Sequence, residues 1–219
     1  MIRRNRDSAA ALAVAVVFFT VLSVVRHNPR LRPYLEVVVL LVVLTSLADR
    51  AAHFSRPMTR ALTALIILHL VGGLWPPLGD APTFYETWIV HGVLKFDQVV
   101  HGYGGAVLTL ACADLVVGLL GRPKPHPWAL PFVALLMAQG LGALNEMVEF
   151  LFGLNNRNLH AGGLANTGWD LVFNLAGGLI AFALLVLHPY EVDDEDQRLI
   201  RTDHAAGALT SVGKVGRDR

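Results

Sequence analysis

From Ser8 to Val25 the chain runs for 18 residues without one charged side chain, and five more apolar stretches follow it. Such a run has few ways to fold. In hydrocarbon no water satisfies the backbone, so every N–H and C=O must pair within the protein, and a helix of about 17–25 residues both does this and crosses the bilayer. Composition agrees: 54% of the residues are hydrophobic and 16% charged, where a water-soluble domain carries about 25% charge. The 18 Lys and Arg nearly cancel the 17 Asp and Glu, which leaves no basic field to draw the chain to nucleic acid. The single cysteine, Cys112, excludes an intrachain disulfide framework.

The expected fold is all-α, a polytopic transmembrane helical bundle with spans at residues 8–25, 33–48, 60–75, 96–120, 128–152 and 167–187. The second and third are short and must borrow their flanks to cross. Residues 1–188 then form one transmembrane domain, and the polar stretch 189–219, acidic and then rich in Gly, Ala and Ser, reads as a disordered tail. Arg26-His27-Asn28-Pro29-Arg30 lacks the small residues of a signal-peptide cleavage site, so the first span is expected to be retained. With the N-terminus inside, Arg3, Arg4, Arg6, Arg50, Arg56, Arg60, Arg122 and Lys124 are cytoplasmic, against Arg26, Arg30, Arg32, Lys95 and Arg157 outside. This balance favours both termini inside. The first outer loop, with three arginines, runs against the trend.

Polar groups within the spans gather on the last three. Asp97 and His101 are four apart, Glu146 and Glu149 three apart with Asn145 beside them, and Asp170 and Asn174 four apart, so each pair shares a helix face. Because consecutive spans alternate in direction, all three pairs fall at one depth, at the outer end under the orientation above. An ionisable group inside a span costs at least ~2.5–3.5 kcal/mol on insertion scales. Several carboxylates at one depth therefore need compensation. A shared proton, a divalent cation ligated by Asp97, His101, Glu146, Glu149 and Asp170, or pairing with His101, Arg157 or a substrate's cation would each supply it.

Plainer readings exist for each residue alone. Asp97 and Asp170 could be helix N-caps, and Glu149 could reach to water from a helix end. His69 and Gln139 are expected to hydrogen-bond between helices, and Asp114 stands toward the other end of the fourth span without a partner at motif spacing. His91 and His160 lie in outer loops. Trp75, Trp88, Trp128 and Trp169 sit near span ends as an aromatic belt would, and Trp88–Leu94 reads as an interfacial turn. Small residues on the last three spans, Gly102, Gly105, Gly142 and Gly177 among them, permit close backbone approach and predict a tight bundle of those helices with the first three packed around it.

Phe96-Asp97-Gln98-Val99-Val100-His101-Gly102 resembles the Asp-x-x-x-His opening of VanZ-like membrane proteins, and Asp170-Leu171-Val172-Phe173-Asn174-Leu175-Ala176-Gly177 resembles their closing Asp-x-x-x-Asn-x-x-Gly. Glu146-Met147-Val148-Glu149 stands where that pattern has Glu-x-x-Gln. The form Asn145-Glu146-x-x-Glu149 is closer to the related YjdF-like family of bacterial inner-membrane proteins. The likeness covers about residues 95–182. It implies a bacterial plasma-membrane location and a role in the cell envelope.

Three functions are open at this level. The cluster could bind a divalent metal and an envelope lipid or amphiphile at the outer leaflet, or hydrolyse its headgroup with His101 or Glu146 as base and Asn145, Asn174 and Arg157 lining the site. It could relay protons or cations in a transporter. Or it could fix helix register and nothing more.

Overall fold

A computed structural model describes residues 6–121, 128–155 and 163–188. Six helices run in order, α1 (Arg6–Val25), α2 (Leu31–Ala52), α3 (Arg56–Leu74), α4 (Phe96–Leu120), α5 (Ala129–Asn155) and α6 (Gly163–Leu187), with strands β1 (Trp88–Val90) and β2 (Leu94–Lys95) ahead of α4. All six helices are long and apolar enough to span. The two short stretches do borrow their flanks. α2 reaches 22 residues by taking in Leu31 and Arg32 at its start and Asp49–Ala52 at its end, where His53 turns left-handed at φ 50 and stops it. α3 begins at Arg56, four residues before the apolar run, because Ser55 caps it: the Met58 N–H donates to Ser55 Oγ at 3.3 Å. The tail 189–219 and the loop cations Arg122, Lys124 and Arg157 lie outside the described residues.

α4 is the common element of the bundle, touching α2, α3, α5 and α6, and its closest partner is α6. Glycine permits that approach. A Cβ on Gly105 would collide with the Asn174 carbonyl, and one on Gly177 with the Gly102 carbonyl. Between helices in lipid, dispersion between closely apposed backbones does what the hydrophobic effect does in water. α5 closes the group through Ala134 and Ala138 packed with Cys112 and Ala113 of α4. The first three helices share their own core of Phe19, Val38, Ile66, Leu70 and Leu74. They do not encircle the last three as the sequence suggested. They sit on one flank and meet them through α4. Val39, Leu40, Val43, Leu44 and Leu47 of α2 remain exposed, as do Leu179, Ile180 and Leu184 of α6, faces that suit lipid and would aggregate in water.

The connection from α3 to α4 is an irregular segment beside the site. The expected interfacial turn is a small antiparallel hairpin, Trp88 pairing with Lys95 and Val90 with Leu94. It is fastened to α4, since Phe96 N–H donates to the Thr87 carbonyl and Asp97 N–H to the Tyr85 carbonyl, each at 3.0 Å. Trp75, Trp88, Trp128 and Trp169 are all exposed.

Candidate functional site

Asp97 and His101 lie in the first turns of α4. Lys95, not Asp97, is the N-cap, and its N–H donates to Gln98 Oε1 at 2.9 Å. The Asp97 carboxylate is therefore free of capping and turns inward. Asp170 is no cap either, because α6 begins seven residues earlier, at Gly163. Both capping alternatives fall on these observations.

The His101 ring is the hub. Its Nε2 stands 3.4 Å from Asp97 Oδ1 and 3.9 Å from Asp170 Oδ1, and its Nδ1 stands 3.7 Å from Glu146 Oε1. Three helices thus converge on one imidazole, and Asp97, His101, Glu146 and Asp170 are all buried, Asp170 at 1% exposure. Glu149 and Asn145 are different. Both are exposed, and the Asn145 amide donates to Glu149 Oε1 at 2.9 Å. Three residues of helix rotate a side chain by about 60° from its neighbour, enough to leave Glu146 inside and Glu149 at the edge. Even so, Glu149, Glu146 and His101 each offer a ligand atom within 4.8 Å of the others, as do Asp97, His101 and Asp170.

One member was not foreseen. Asn166 donates through Nδ2 to Asp97 Oδ2 at 3.0 Å and also to Asp170 Oδ2. It occupies one outer oxygen of each carboxylate and leaves both Oδ1 atoms facing His101. Asn166 lies one residue before the expected start of the sixth span, and its spacing of four from Asp170 was the available signal.

Several buried polar atoms have no hydrogen-bond partner among the described residues: Asp170 Oδ1, Glu146 Oε1 and Asn174 Nδ2. Asn174 is buried, and its backbone carbonyl accepts from Gln139 Nε2 at 3.2 Å, the interhelical bond expected of Gln139. Leaving such groups unpaired costs about 1–3 kcal/mol each, more when charged. Two charges of one sign brought together add to that.

Behind the cluster lies a second polar group. His69 of α3 is half-buried, and its partner is on the connection and not on a helix: Tyr85 Oη lies 2.9 Å from His69 Nδ1. The Tyr34 ring of α2 lies against the same imidazole, tilted by 31° with centroids 4.8 Å apart. Gly72 and Gly73 give the Tyr85 and Tyr34 rings their room. Burial pushes the Tyr85 phenol well above its ordinary range. His91 is exposed in the hairpin turn, Asp114 is buried farther along α4, and Arg157 and His160 lie outside the described residues.

A polytopic helical membrane protein with a desolvated carboxylate–histidine cluster at one end of its bundle is the class these features define. The chain belongs to a family described as predicted membrane protein (DUF2238), whose model matches residues 8–190, all six helices included. This family is YjdF-like, the closer of the two resemblances read from the motifs. No curated protein and no solved structure matches the chain.

Proposed function

We propose that the cluster is a divalent-cation site at the outer face of a bacterial plasma membrane, serving to bind, or act on, the headgroup of an envelope lipid or amphiphile. The observation that carries this is the spacing around His101. On the Nε2 side the separations of 3.4 Å to Asp97 Oδ1 and 3.9 Å to Asp170 Oδ1 are too long for hydrogen bonds, which run about 2.7–3.2 Å. They match neighbouring ligands on one ion: donors ~2.0–2.4 Å from a metal lie ~3.0–3.9 Å from one another. The desolvated Asp170 Oδ1, without a hydrogen-bond partner among the described residues, points the same way. One imidazole with several carboxylates suits zinc or manganese better than magnesium.

Roles follow from the geometry. Asp97 and Asp170 face Nε2, with their outer oxygens tied by Asn166, so this side is the better-formed ligand set. Glu146 faces Nδ1 and would accept its proton, fixing the ring as second carboxylates do beside metal-bound histidines. A bound ion supplies Lewis-acid polarisation of a phosphoryl or ester oxygen. Glu146 would then be the base, with Glu149 and Asn145 at the exposed edge where a headgroup enters and Asn174 Nδ2 as a buried donor. The likeness of the Asp97–His101 and Asp170–Asn174 motifs to VanZ-like proteins supports an envelope setting, and the Lys/Arg balance supports an outward-facing site with both termini cytoplasmic.

The transporter reading fares less well. Between His101 and Asp114 the buried residues of α4 include Val107, Ala111, Cys112 and Ala113, and the Thr109 hydroxyl is taken by the Gly105 carbonyl at 2.7 Å. No polar path along α4 joins the two ends.

Elemental analysis of protein purified without chelator, then reloaded with zinc or manganese, tests the proposal. About one ion per chain is expected, lost in D97N/D170N. Wild type that holds no ion after reloading, or a double variant with wild-type stoichiometry, would overturn it.

A further inference from the structure

The three arginines of the first outer loop run against the charge trend of the sequence. The fold gives two of them a common purpose. An open cavity of about 230 Å³ lies between the α1–α2 turn and the start of the α3–α4 connection, lined by Arg26, His27, Asn28, Arg30, Trp75 and Thr83 with several prolines. It lies at the same end of the bundle as the carboxylate cluster, because α1 and α3 end there and α2 and α4 begin there. None of the described residues lining it is acidic.

The turn that forms it is rigid. Asn28 N–H donates to the Ser23 carbonyl at 2.9 Å and His27 N–H to the Val24 carbonyl at 3.1 Å, the paired bonds of a Schellman ending. In that motif the residue at His27 is left-handed, here with φ 49. Glycine adopts this conformation without strain, and a side chain kept there suggests a use for it. Asn28 Oδ1 then accepts the Arg30 N–H at 3.0 Å. The arginines and the imidazole are thus mounted on fixed backbone.

We infer that this cavity binds the phosphorylated headgroup of an amphiphile seated in the outer leaflet. The Arg26 guanidinium gives the bidentate donors that phosphate oxygens accept, the Arg30 guanidinium adds a second positive charge, and the His27 ring and the Thr83 hydroxyl are further donors. A volume of about 230 Å³ is below the ~300 Å³ typical of drug-sized ligands, so it fits a small polar group and leaves the tails outside. Trp75 on the wall is the ordinary companion of a headgroup at the bilayer interface, and the exposed Val24 and Val25 of α1 lie beside acyl chains. The site needs no metal and stands independently of the carboxylate cluster.

Native mass spectrometry of detergent-solubilised protein, with short-chain phosphatidylglycerol as probe and the matching diacylglycerol as its phosphate-free counterpart, tests this. Phosphatidylglycerol should bind at least tenfold more tightly than diacylglycerol, and R26Q/R30Q should lose at least tenfold. R32Q, which removes an exposed arginine paired with Glu36 outside the cavity, should stay within about twofold. H27G should melt at higher temperature than wild type yet bind less tightly, which separates loss of binding from loss of fold. Displacement by millimolar inorganic phosphate would mark the phosphate group as sufficient, and failure to displace would mark the lipid-borne headgroup as the ligand. Equal binding of the two lipids, or a loss in R32Q as large as in R26Q/R30Q, would overturn the inference.

Discussion

The side-chain amide of Asn166 on α6 reaches the carboxylate of Asp97 on α4 at 3.0 Å, joining two helices through the rim of the cluster. The same nitrogen also donates to Asp170. One neutral side chain therefore spends both its N–H bonds on two acids, holding them close without neutralising either. That arrangement needs a shared proton or a positive charge nearby, which His101 or a cation would provide.

N166L separates the two consequences. Loss of two bonds to buried carboxylates should lower stability by about 2–4 kcal/mol, read as a fall in melting temperature. Cation affinity should fall about 10–100-fold, the usual effect of removing a partner of metal ligands. Unchanged affinity with lowered stability would assign Asn166 to packing alone.

A cation that binds the folded state should stabilise it by mass action, about 2.7 kcal/mol at a hundredfold excess over Kd. Chelation of loaded wild type should lower the melting temperature accordingly, and readdition should restore it. D97N/D170N should show no such response.

The α4–α6 contact makes a sharp steric prediction. G177L must drive a side chain into the Gly102 carbonyl and should abolish monodisperse, folded protein in detergent. G140A, on an open part of α5 with nothing within 4 Å of the added carbon, should be tolerated and raise stability by about 0.5–1 kcal/mol. Size-exclusion chromatography with thermal unfolding distinguishes them.

Tyr85 predicts a pH effect. Its phenol is raised in the folded state, so the folded form holds its proton where the unfolded form loses it. Stability from this group is complete below the unfolded value of about 10 and declines as pH rises above it. Y85F should flatten that decline. It should also cost about 1–2 kcal/mol at neutral pH by removing the bond to His69.

Hydrophobicity is a property of single residues, and backbone hydrogen bonding in a helix is local, so the six spans were legible from the chain alone. Depth was legible too. Distance along a helix is proportional to residue number, and alternating spans bring Asp97, Glu146 and Asp170 to one end without any knowledge of packing. Span ends were less so, because a helix leaving hydrocarbon tolerates polar residues. α6 accordingly starts at Gly163 and carries Asn166, which the apolar run beginning at Thr167 excluded. Rotation about each helix axis was not legible. It depends on which small residues meet, Gly105 and Gly177 across α4 and α6 and Gly142 of α5 against Asn174, and it turned Glu146 inward while leaving Glu149 and Asn145 at the edge. The partner of His69 came from a connection whose path no periodicity describes. Sequence alone determined how deep each charged group sits, since depth is counted along one chain. Only the tertiary structure decided which of them face one another, because that is set where two helices touch.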